Sequence, residues 1–210
     1  MLSETRWQAL WQELGGSAPN GSYAELSAAY AAPDRHYHGI SHIQACLAHL
    51  QRWQHLARDP ALVELALWTH DLVYDTRRQD NEAASAERAC QWLEDADLGE
   101  RSAALREMIL ATRHQQAPED ADAALVVDID LSILASGAEV YAGYEAAVRA
   151  EYAWVPEPLF RAGRAKLLRQ LLDTPALYHH APLAALWEAP ARRNLEAALA
   201  ALEPIPNLLS

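Results

Sequence analysis

Two adjacent metal-capable side chains, His70 and Asp71, directly follow a nearly all-apolar run over residues 61–68. Burying an imidazole beside a carboxylate is unfavourable unless each finds a proton, a hydrogen bond or a cation. The chemistry these residues invite is a divalent ion, with further ligands brought by other helices. The dipeptide alone carries little weight, because nine His in 210 residues with this Asp content give about half of one His-Asp pair by chance. Its surroundings carry more. Two other expected helices offer His42 and Asp130, and mixed imidazole and carboxylate shells suit divalent ions, the harder ones favouring the carboxylates. Asp128, two residues before Asp130, falls on a different helix face.

The elements that must position these groups read as helices. Residues 3–14 place Trp7, Leu10, Trp11 and Leu14 at helical spacing, and Gly15-Gly16 ends the pattern. A second helix is expected over 22–30, with Ser22 as N-cap and Glu25 completing a capping box, before Pro33 breaks it. A loop over 31–40 carries Arg35, His36, Tyr37, His38 and Gly39. The next helix, 41–58, puts Ile43, Cys46, Leu47, Leu50 and Trp53 on one face, bordered by His42 and His49. Pro60 opens a helix that is apolar almost all round and is therefore expected at the centre of the core. Further helices are expected over 80–96, with Asp80 as cap, over 101–113 ending at His114, and over 122–135 carrying Asp128 and Asp130. The last three fall over 139–154, 159–173 and 191–202, ahead of Pro204 and Pro206. No repeat, low-complexity tract or linker divides the chain. The expectation is one all-α domain over residues 1–210, a single bundle of about ten helices.

Bulk properties agree. Apolar residues make up 51% of the chain and charged residues 22%, a balance that supports a folded core rather than disorder. Abundant Ala and Leu with few β-branched residues favour helix over strand. The net charge of −12 opposes broad binding to nucleic acid or to an anionic membrane. Cys46 and Cys90 lie within helical patterns and read as small buried hydrophobes. Charged residues among the first fourteen argue against a signal peptide, and no uncharged apolar run approaches the roughly 18–20 residues of a membrane span. A cytoplasmic location is the expectation.

Several blocks in order then carry a family resemblance. Arg35-His36-Tyr37-His38-Gly39-Ile40-Ser41-His42-Ile43, Trp68-Thr69-His70-Asp71-Leu72-Val73-Tyr74-Asp75, Asp80-Asn81-Glu82-Ala83-Ala84-Ser85, Thr112-Arg113-His114 and Asp128-Ile129-Asp130-Leu131 resemble the HD-domain superfamily of metal-dependent phosphohydrolases. They look like the successive blocks of one bacterial subgroup, whose members lack a well-defined substrate. The similarity continues through Tyr141-Ala142-Gly143-Tyr144, Arg149-Ala150-Glu151-Tyr152, Gly163-Arg164 and Arg193-Asn194-Leu195. It runs from near residue 30 to near residue 200.

The resemblance implies His42, His70, Asp71 and one late Asp as ligands, with Asp130 the better match because Leu131 and Leu134 follow it. It implies a divalent cofactor, whether manganese, magnesium, iron, nickel, cobalt or zinc, and hydrolysis of a small phosphate ester such as a nucleotide by a water whose pKa the ion lowers. Asp71 is expected to orient that water, Glu82 or His114 to act as acid or base, and Arg35 with His38 to position the phosphate. Arg149 and Arg164 are further anion-binding candidates, although Arg149 could equally pair with Glu145 at i, i+4. Ser85 could face the metal. The Tyr141, Tyr144 and Tyr152 stripe reads as core, and His49, His55, His179 and His180 as structural or surface residues. Two other functions stay open: a di-iron oxygenase, for which His38 and His114 would be the extra histidines, and a non-catalytic nucleotide-binding module of the same fold.

Overall fold

A computed structural model describes residues 2–202. Among them are ten α-helices joined by loops and short 3-10 turns, and no strand, so the chain is all-α. It divides into two compact units between Asp130 and Leu131.

The first unit holds α1 (Glu4–Glu13), α2 (Ser22–Tyr30), α3 (Ile40–Trp53), α4 (Pro60–Thr69), α5 (Asn81–Asp95), α6 (Ser102–Ala111) and α7 (Ala121–Asp130). α4 packs against α1, α3, α5, α6 and α7. Its sequence explains that place. Pro60 occupies the first turn, where a missing N–H costs nothing, and the Asp59 side chain accepts from Leu62 N at 3.1 Å as N-cap. Leu62, Val63, Leu65, Ala66, Leu67, Trp68 and Thr69 are all buried, each large apolar one contributing roughly 1.5–3 kcal/mol. Behind α4 the Trp7 ring lies edge-on to Trp11, Trp68 and Trp92 at centroid separations of 5.7, 5.3 and 5.7 Å.

Ser22 is the first correction. It lies inside α2, the N-cap being Gly21 with a φ of 78°, and its Oγ accepts from Trp7 Nε1 at 2.9 Å. The buried indole N–H, which needs an acceptor, takes the hydroxyl away from the helix terminus. Ser22→Ala strands that N–H, with an expected loss of about 1–3 kcal/mol. At roughly 2–4 °C per kcal/mol for a chain of this length, a thermal melt of the variant checks it.

The second unit contains a 3-10 turn, Leu131–Ala135, then α8 (Ala138–Glu151), α9 (Glu157–Asp173) and α10 (Ala181–Leu202). Its core gathers Leu134, Tyr141, Leu168, Leu177, Tyr178, Ala191 and Leu195, so Tyr141 of the tyrosine stripe is indeed core. α10 begins ten residues before the expected start and carries Pro190 in its interior. Proline there costs about 3 kcal/mol. Ala191 and Leu195 just beyond it are fully buried, and their packing offsets the lost hydrogen bond. The tail prolines Pro204 and Pro206 lie outside the described residues. No helix among the described residues is long and apolar enough to cross a membrane. Cys46 and Cys90 are both free and buried.

Candidate metal centre

His42 projects from the first turn of α3, His70 is the C-cap of α4, Asp71 follows it, and Asp130 is the last residue of α7. The four side chains converge. His42 Nε2 stands 3.1 Å from His70 Nε2, 3.6 Å from Asp71 Oδ2 and 3.1 Å from Asp130 Oδ1. His70 Nε2 stands 3.1 Å from Asp71 Oδ2 and 3.4 Å from Asp130 Oδ1. Two donors on one ion at about 2.0–2.2 Å lie roughly 3–3.5 Å apart, so these spacings fit a shared divalent cation. His42 and His70 are almost wholly buried.

The backbone around the ligand pair is accounted for nearly atom by atom. His70 N donates to Ala66 O at 2.8 Å, and Leu72 N to Thr69 O at 3.1 Å. His70 Nδ1 faces Leu67 O at 3.1 Å. A carbonyl only accepts, so Nδ1 keeps its proton and Nε2 is the atom turned to the cluster. Tyr30 Oη donates to Trp68 O at 2.9 Å. Arg35 donates to the carbonyls of Asp71 at 2.6 Å, Leu72 at 2.9 Å and His38 at 3.2 Å. Ser85 Oγ brackets the next residue, accepting from Val73 N at 3.0 Å and donating to Val73 O at 3.2 Å. Ser85 thus supports the turn through Val73.

His114 has a backbone φ of 54°, a left-handed conformation that costs a non-glycine residue about 1–2 kcal/mol. It brings Nε2 to 3.1 Å from Asp130 Oδ2. Asp130 therefore uses one oxygen toward His42 and His70 and the other toward His114. His114 Nδ1 is buried with no hydrogen-bond partner among the described residues. The His38 ring stacks on Tyr74 at 4.1 Å and lies 6.1 Å from the His42 ring.

Electrostatics follow from two carboxylates facing one imidazole pair. Burial works against the charged form of His70, but Asp71 and Asp130 outweigh it and hold its pKa well above the ordinary value. Burial likewise opposes ionisation of Asp71, yet His70, with smaller effects from His38 and His42, keeps that carboxyl well below its usual range. Asp130 is depressed in the same way, against burial, by His70, His114 and His42. Without a cation the cluster must hold a proton in its place.

Cys46, one turn after His42, was expected as a buried hydrophobe, and the structure adds that its sulfur reaches the cluster's edge. Sγ lies 3.8 Å from both His42 ring nitrogens. An in-plane sulfur equidistant from both would overlap the carbon between them, so Sγ packs over the ring rather than along a lone pair. Burial pushes its thiol pKa up.

The remaining candidates are placed elsewhere. Glu82 is in neither group of converging donors; its carboxylate lies 3.6 Å from Arg113 Nε. The guanidiniums expected to grip phosphate each hold protein groups. Arg35 clamps three carbonyls and lies over the rings of Tyr30 and Tyr74. Arg149 donates to Glu157 at 2.8 Å and to the carbonyls of Tyr152 and Val155, so its carboxylate partner is Glu157 rather than Glu145. Glu145 pairs with buried Arg164, through contacts of 3.0 and 2.7 Å, and Arg164 also donates to Tyr144 Oη at 2.9 Å. Sequence spacing missed Tyr30 as the residue that holds the Trp68 carbonyl; a Tyr closing a helix ahead of a His-rich loop was the available signal. Compared with family models, with curated proteins and with solved structures, the chain matches none.

Proposed function

We propose that the chain is a metal-dependent phosphohydrolase of the HD type acting on a small phosphate ester, with nucleotides among the candidate substrates. The observation that carries this reading is the convergence of two imidazoles and two carboxylates, from three helix ends, at spacings a single divalent ion fits. His42, His70, Asp71 and Asp130 would hold the ion. A divalent cation at such a site lowers the pKa of water and offsets charge growing on phosphoryl oxygens. Two carboxylates suit manganese, magnesium or ferrous iron, and two imidazoles keep zinc, cobalt and nickel within range.

The protein's own groups supply the rest. Asp130 Oδ2 accepts from His114 Nε2, which orients that ring beside the cluster, and His114 is the proposed acid or base. His38, stacked on Tyr74 with its ring 6.1 Å from that of His42, is the proposed contact to the ester. Arg35, Arg149 and Arg164 give donors to carbonyls, carboxylates and, for Arg164, the Tyr144 hydroxyl, so phosphate recognition falls less on them than the resemblance implied.

Elemental analysis of protein purified without chelators, followed by a panel of nucleotides and small phosphate esters with the metal found, tests the proposal. The expected result is about one equivalent of a divalent metal and hydrolysis that chelation stops. Two equivalents of iron with oxygen-dependent turnover would replace it with the di-iron oxygenase. Tight nucleotide binding without turnover under any metal would replace it with the non-catalytic module.

A further inference from the structure

The residue that joins the two ligand-bearing segments is Arg35. It lies in the loop that leads into α3, the helix of His42, and its guanidinium reaches the turn after α4, where it holds the carbonyls of Asp71 and Leu72. The same Nη1 that holds Asp71 O also holds His38 O, four residues before His42. One planar fork therefore ties the approach to one ligand to the backbone of another. The carbonyls at the end of a helix have no intrahelical donor, and the peptide carbonyl of Asp71 itself is among those Arg35 satisfies. With Leu67 O on the His70 ring and Trp68 O on Tyr30, few torsions in this turn remain free. The aromatic faces of Tyr30 and Tyr74, 5.1 and 5.6 Å from the guanidinium carbon, hold the cation in place.

We infer that Arg35 is a positioning residue of the metal centre: it sets the separation of His42 from Asp71 through the carbonyls it clamps, and so sets affinity for the divalent cation without touching it. This rests on the metal reading above and adds a residue to it. Supporting residues around metal ligands typically change affinity 10–100-fold. A lysine presents one ammonium in place of a rigid fork and replaces the clamp only in part.

The test is Co²⁺ titration of metal-free protein, followed by visible absorption, for the parent, Arg35→Met, Arg35→Lys and Ser22→Ala. Ser22→Ala destabilises the first unit away from the ligands and controls for stability alone. Arg35→Met is expected to stay helical, bind Co²⁺ roughly 10–100-fold more weakly and show shifted ligand-field bands, with Arg35→Lys in between and Ser22→Ala at parent affinity. A folded Arg35→Met with parent affinity and spectrum overturns the inference and leaves the metal reading intact. If Arg35→Met does not fold, Arg35→Lys decides, and parent-like affinity there overturns the inference. Equal weakening in Ser22→Ala also overturns it, by reducing Arg35 to a stability effect. A parent that binds no Co²⁺ overturns the metal reading, and this inference with it.

Discussion

Replacing His70 and Asp71 together by Ala is expected to abolish divalent-ion uptake and to lower metal-dependent ester hydrolysis by at least about 10³-fold. The magnitude follows from losing two of four donors where the ion supplies several kcal/mol of transition-state stabilisation, at a factor of ten per 1.36 kcal/mol. The double variant is a cleaner probe than either single one. His70→Ala alone removes the imidazole that does most to hold both carboxylates ionised and leaves Asp71 and Asp130 to share His42, at 3.6 and 3.1 Å, a buried imbalance that costs about 3–5 kcal/mol. Removing His70 with Asp71 leaves Asp130 between His42, at 3.1 Å, and His114, at 3.1 Å, so its charge keeps partners. The far-ultraviolet circular dichroism should remain helical while metal content falls to background. Full phosphatase activity in this variant would rule out the proposed mechanism.

Metal removal should produce the second large effect, and pH should set its size. In metal-free protein His70 has a raised pKa, so its contribution to stability is fully present below about 6.5 and is lost as pH climbs through the folded value. Asp71 and Asp130 have depressed values, so theirs is present above about 3.8 and is lost as pH falls through the folded ones. A bound ion must displace the His70 Nε2 proton. Below the folded His70 pKa each ion bound therefore releases one proton, and affinity rises about tenfold per pH unit. At free metal of about 1,000 times Kd, binding adds about 4 kcal/mol, and at roughly 2–4 °C per kcal/mol the melting temperature rises by roughly 10 °C. Calorimetric titrations at about pH 6, 7 and 8, in buffers of different ionisation enthalpy, measure both the slope and the proton released. An affinity independent of pH across that window would show that His70 Nε2 carries no proton there for the ion to displace.

Much of this architecture was legible before any coordinates, for identifiable reasons. α4 is apolar almost all round, Glu64 excepted, so a central position is the one that buries it, and Pro60 with Asp59 marks its start. The edges were read less well where tertiary contacts compete with local rules. Ser22 has the chemistry of an N-cap, but the Trp7 indole is the stronger claimant for its hydroxyl. The last helix was expected to start at residue 191, yet α10 starts at Ala181 and runs through Pro190, with Ala191 and Leu195 burying their side chains on the far side. The arginines show the same limit. A guanidinium suits phosphate, carboxylate and backbone carbonyl alike, and spacing along the chain does not say which of them it meets. In Arg35 and Arg149 it meets chiefly carbonyls, and in Arg164 a buried Glu145 and Tyr144.

The sequence by itself determined the helical class, the burial of α4 and the residue types at its end, because side-chain periodicity and ligand chemistry are properties of the chain read locally. Only the tertiary structure decided that His42, His70, Asp71 and Asp130 face one point, that His114 takes the second oxygen of Asp130 through a left-handed backbone, and that Arg35 holds the carbonyls of Asp71 and Leu72. Those are matters of direction between segments far apart in sequence. Direction is fixed by which buried donors and acceptors satisfy one another, and that pairing exists only once the helices have packed.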